Sequence, residues 1–135
     1  MKGLRSEEGF SLIELLITLL IIGVTFLAFT TTFTTIQNIN KTAIDTNHAN
    51  EAAFAKVQQY ENTSFTSLPN TAPAGTLQQV EDFSSSLDPT LPSPRSGQVY
   101  INTVSATLKQ VVVKVTYGHN DRIIQYADFI QKNGL

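Results

Sequence analysis

The sequence has no cysteine, so disulfides and thiolate metal sites are excluded, and any domain outside the cell has to be held by packing alone. It has no tryptophan, and its single methionine is residue 1. It also lacks a basic excess: the formal net charge is −2, which disfavours nucleic acid as a generic ligand. Between Glu14 and Lys41 there is no charged residue of either sign, and within that gap residues 15–29 are almost wholly apolar. At 135 residues the chain can form one small domain plus an appendage, not two full domains.

The stretch from residue 10 to about residue 29 matches the ~20 residues a transmembrane helix needs. A core helix is the bland alternative, but a domain this small has too little chain to surround such a helix on all faces. A cleaved secretory signal would be shorter and end at a small-x-small site. Instead a threonine-rich run, residues 30–35, follows. Lys2 and Arg5 precede the apolar segment, which by the positive-inside tendency leaves the N-terminus in the cytoplasm and sends the remaining chain outward.

Glu14 is the residue that does not belong in such a segment. A carboxylate there costs on the order of 2.5 to 3.5 kcal/mol at a helix centre, less near an end, and so calls for a partner or for water at the interface. The run Gly9-Phe10-Ser11-Leu12-Ile13-Glu14-Leu15-Leu16 resembles the processing motif of type IV prepilins and their relatives, the pseudopilins of type II secretion and the competence pilins. The matching parts are a short basic leader ending in glycine, then Phe10, then a glutamate at the fifth position of the mature chain, then a long apolar helix. The resemblance implies that a membrane aspartyl prepilin peptidase cuts between Gly9 and Phe10 and N-methylates Phe10. It further implies that Phe10 and Glu14 meet a neighbouring subunit during assembly on an inner-membrane platform. It covers residues 9 to about 35 only.

Beyond the apolar segment the pattern stays helical to about residue 60. Ile36, Ile39 and Ala43 form one stripe, and Ala53, Phe54, Val57 and Tyr60 continue it. One helix from residue 10 to about residue 60 would be roughly 75 Å long. Gly23 and the threonines that follow predict a soft point between residues 23 and 35, because both weaken a helix interior. Residues 62–97 hold all five prolines and read as loop, with a short strand at about residues 77–83. From residue 98 the period changes to two: Val99 and Ile101 alternate with polar neighbours, and Val111, Val113, Val115 and Tyr117 share a face. A turn at residues 118–121 leads to a last strand over residues 123–130.

These readings give an α+β fold: a long N-terminal helix, transmembrane in its first half, with a small antiparallel β-sheet packed on its C-terminal half. The division is a leader at residues 1–9, a membrane and assembly helix at 10–35, and an exposed domain at 36–135 with a Pro/Ser/Thr-rich region at 66–97. The expected core includes Phe54, Val57, Val111, Val113 and Val115.

Catalysis finds no support in the sequence. His48 and His119 fall in a helix pattern and a turn without ligand spacing, and Asp121 and Asp128 read as turn and surface residues rather than a calcium site. No cofactor is called for. Asn40-Lys41-Thr42 and Asn62-Thr63-Ser64 fit a glycosylation pattern short enough to arise by chance. The expected function is a structural subunit of a type IV pilus or pseudopilus, a homo- or hetero-polymer with other pilin-like subunits, first anchored in lipid and then carried outside. Two alternatives are a minor, tip-proximal pilin that binds DNA, surfaces or secreted cargo, and a membrane-tethered domain with no assembly role.

Overall fold

The computed structural model describes residues 11–71 and 75–132. Contacts divide the chain into two units, Met1–Lys41 and Thr42–Leu135, and helix α1 (Leu12–Glu61) contributes to both. Gly9 and Phe10 lie outside the described residues.

In the first unit nothing packs on the helix: every described residue up to Lys41 is exposed. Helix α1 runs unbroken through residues 23–35, where the sequence predicts a soft point. The threonine hydroxyls there turn back onto their own helix. Thr25, Thr30, Thr32 and Thr35 each donate to the carbonyl four residues back, and Thr31 and Thr34 to the carbonyl three back, at 2.8 to 3.0 Å. Such bonds slightly weaken and can bend a helix, yet α1 continues past them.

In the second unit, residues 42–61 of α1 bury Asp45, Ala49, Ala53 and Val57, one residue per turn on a single stripe. The two alanines at its centre, Ala49 and Ala53, are fully buried. The helix ends where Asn62 donates through both its backbone N–H and its side-chain amide to the Gln58 carbonyl. A 3₁₀ turn, Phe65–Ser67, follows. Four strands then form an antiparallel meander in the order β1 (Gln78–Asp82), β2 (Arg95–Ser105), β3 (Leu108–Tyr117) and β4 (Arg122–Gln131).

Val99 faces Val113, Ile101 faces Val111, and Gly97 faces Val115 across β2 and β3. These valines and isoleucines are at most 1% exposed and form the core with Ala49, Ala53, Val57 and Tyr117. The chain is thus α+β, one long N-terminal helix with a four-stranded antiparallel sheet against its second half.

Three details differ from the sequence expectation. Ile36, Ile39 and Ala43, expected on the packed stripe, are exposed, and the buried stripe starts at Asp45. Phe54 is not in the core: it is 51% exposed and meets Tyr126 of the edge strand β4 edge-on, ring centroids 6.1 Å apart. It sits one residue beyond Ala53, about 100° around the helix, which turns it off the buried stripe to the flank. Strand β2 also begins earlier, at Arg95. The Arg95 guanidinium donates to the Leu91 carbonyl at 3.1 Å, fixing the proline-rich approach and starting the ladder inside the stretch expected to be loop.

Candidate assembly helix

The site predicted from sequence lies at the start of α1. Ser11 opens the helix by accepting, through its carbonyl, from the backbone N–H groups of Glu14 and Leu15. Glu14 occupies the first turn, where a negative charge is favoured by the unpaired N–H groups of the helix end. Thr18 donates its hydroxyl to the Glu14 carbonyl at 2.7 Å. Glu14 is exposed, and no cation contacts it among the described residues. Gly9 and Phe10 lie outside those residues, so the Phe10–Glu14 spacing is a property of the sequence alone.

Downstream of Glu14 the helix is apolar and bare. Leu15, Leu16, Ile17, Leu19, Leu20, Ile21 and Ile22 all expose more than half of their surface, as do Phe26, Leu27 and Phe29. The segment is long and apolar enough to cross a membrane, and none of its most apolar window is buried by the rest of the protein. Such a surface has to be covered by lipid or by other helices.

The comparison with known families meets this geometry at the same residues. Residues 4–30 match the family model described as the prokaryotic N-terminal methylation motif. The chain carries the type IV pilin-like prepilin signal. No curated protein and no solved structure matches it. The prepilin signal points to processing by prepilin peptidase, and with the bare apolar helix it is consistent with anchoring in the inner membrane.

The domain beyond the prepilin helix holds polar clusters that the sequence reading did not foresee. His48 Nδ1 lies 2.7 Å from Asp88 Oδ2, and Thr90 donates to Asp88 Oδ1 from its hydroxyl at 2.6 Å and its backbone N–H at 2.8 Å. The two Thr90 bonds, with a smaller contribution from His48, hold the Asp88 carboxyl below its ordinary value. On the other flank Lys56 is paired with Glu81, which also accepts from the Tyr60 hydroxyl at 2.8 Å. The Lys56 bond lowers the Glu81 carboxyl, while burial, then that carboxylate, pushes the Tyr60 hydroxyl well up. Both clusters tie loops and β1 to the helix. In the first cluster the Thr90 hydroxyl also lies 3.3 Å from His48 Nδ1, so the three side chains close on one another as a fastener. Residues 40 apart in sequence give no local signal of such a pairing.

Proposed function

We propose that this protein is a structural subunit of a type IV pilus or pseudopilus, cut between Gly9 and Phe10, methylated at Phe10, and polymerised through its N-terminal helix. The observation that carries the reading is the apolar helix left uncovered by its own domain, with a carboxylate in its first turn that meets no cation among the described residues. Before assembly, lipid covers the helix, with the N-terminus in the cytoplasm and the sheet domain outside. After assembly, neighbouring helices cover it, whether they come from copies of this chain or from other pilin-like subunits gathered on an inner-membrane platform. The polymer then spans the envelope or extends outside the cell.

Cleavage after Gly9 would create an α-amino group at Phe10, which titrates near ~7.7–8.0 and is mostly cationic at neutral pH. Methylation keeps that charge. Among packed helices the amine leaves water, where an unpaired charge is costly and a paired one is tolerated. Glu14 of a subunit already in the bundle supplies the pair and sets the axial register of the newcomer. The role is structural and requires no catalytic residue.

The test is Glu14→Gln, which keeps size and hydrogen bonding and removes the charge. Membrane insertion and cleavage stay near normal, while incorporation into sheared filaments, compared at equal precursor levels, falls sharply. Incorporation equal to that of the unaltered chain would overturn the reading.

A further inference from the structure

The end of the sheet where β2 turns into β3 contains a cation placed where the fold calls for an apolar side chain. Lys109 follows the inward alternation of β3, in line with Val111, Val113 and Val115, and is 2% exposed. Its ammonium donates to the carbonyls of Leu68 at 2.6 Å and Phe65 at 3.1 Å, and lies 4.5 Å from the centre of the Phe65 ring. An ammonium has three donors, so one is left over. No carboxylate contacts it among the described residues, whose ion pairs are His48–Asp88 and Lys56–Glu81. Burial accordingly pushes the Lys109 amine below the ordinary lysine value.

This cation borders an open hollow of about 440 Å³, which is also lined by Lys132, Thr66, Asn70, Ser105 and Phe65. Lys132 is exposed and lines the same space. No acidic residue lines it among the described residues. Two amines without a counter-charge favour an anion, and the hydroxyls and amide around them can both donate and accept. Beside the apolar surface of Phe65 and Ala106, Thr66, Asn70, Thr103 and Ser105 offer polar groups with which the hydroxyls of a ligand would find partners. The volume falls within the ordinary range for small-molecule sites, roughly 300–1,000 Å³.

We propose that this hollow binds a small, hydroxyl-rich anion, a sugar acid or a sugar phosphate, with Lys109 and Lys132 facing its charged group. The site lies wholly within the sheet domain and stands whether or not the chain polymerises.

The experiment uses the full chain in detergent micelles, with backbone amide resonances followed by NMR during titration. The probes are glucuronate, glucose 6-phosphate, neutral glucose and inorganic phosphate. Saturable shifts confined to the neighbourhood of Thr66, Asn70, Ser105 and Lys132 are expected with at least one of the two charged sugars; the stronger binder tells carboxylate from phosphate. Glucose should produce none, and inorganic phosphate should bind more weakly than the preferred sugar. Lys132→Ala, at an exposed position that leaves the core untouched, should weaken binding about 5- to 10-fold, the loss of one charged contact. The proposal is overturned if neither charged sugar binds, if Lys132→Ala binds as before, if glucose binds equally, or if bare phosphate matches the preferred sugar.

Discussion

The Phe83 ring rests on the backbone of Gly97: a Cβ built at residue 97 would come within 2.6 Å of Phe83 Cε2 and 2.8 Å of Cζ. Around that contact the Gly97 carbonyl accepts from the Phe83 N–H at 2.8 Å, and the Gly97 N–H donates to the Ser84 hydroxyl at 3.0 Å. Phe83 is 5% exposed and belongs to the core, so its ring has little room to retreat. Gly97→Ala is therefore expected to destabilise the domain by about 1–3 kcal/mol, the usual cost of overpacking. Denaturant unfolding of Gly97→Ala beside Phe83→Leu and the double variant measures this. The double variant should lose less than the two single losses added together, because the smaller side chain vacates the space the new methyl needs.

Acid should loosen the loop that carries Asp88. Its carboxyl is held low in the fold by Thr90 first and His48 second. A depressed folded value means that this stabilisation is complete above the unfolded aspartate pKa, about 3.9, and disappears as pH falls through the lower folded value. Thr90→Val removes the hydroxyl donor. It should lower the melting temperature at neutral pH, and the gap to the unaltered chain should close as pH falls below about 3.9. A gap unchanged down to the most acid pH would show that the hydroxyl bond does not act through the charge of Asp88.

The sheet domain should fold without the membrane helix. Its core, from Ala49 and Val57 to Val113 and Tyr117, lies within the second unit. A chain starting at Ile36 is expected to be soluble and monomeric, with a cooperative unfolding transition by circular dichroism. Val113 is 0% exposed at the centre of the sheet, so Val113→Asp would bury an unpaired charge. That costs several kcal/mol, enough to abolish the transition in a domain of this size.

Processing should depend on the small residue before the cut. Gly9→Val is expected to leave a membrane-bound precursor still carrying its leader, and the unaltered chain is expected to begin at Phe10. Intact-mass measurement of the membrane fraction distinguishes the two, and a Gly9→Val chain of mature mass would show that residue 9 does not restrict cleavage.

The sequence and the fold agree along β3 and along the apolar run of α1. The period-two run through Val111, Val113 and Val115 gave strand β3 and its buried face, and the apolar run after Glu14 gave the exposed helix. The disagreements have local causes. Phe54 falls in the same apolar pattern as Ala53 and Val57, yet the buried stripe takes Ala49, Ala53 and Val57, one per turn, and Phe54 lies about 100° around the helix from it. The apolar pattern does not mark the polar members of the packed face either: Asp45 is buried, and the Thr46 hydroxyl meets the Tyr117 hydroxyl at 2.9 Å across the fold. Lys109 shows the same limit: alternation placed it on the inner face, but only the tertiary arrangement supplies the Phe65 and Leu68 carbonyls that hold its charge there. Glu14, by contrast, could be singled out from sequence alone, because one charge in an apolar run is conspicuous without any fold.

Every threonine between Leu12 and Lys41 has its hydroxyl proton engaged by its own helix. What such a side chain offers outward is chiefly a methyl group. The threonine-rich stretch after Phe29, polar by composition, is thus closer to hydrocarbon in the surface it presents, with no hydroxyl proton waiting for a particular neighbour. A segment of this kind can exchange one apolar surrounding for another without breaking and remaking side-chain hydrogen bonds, which is what a helix needs if it is to leave lipid and enter a bundle.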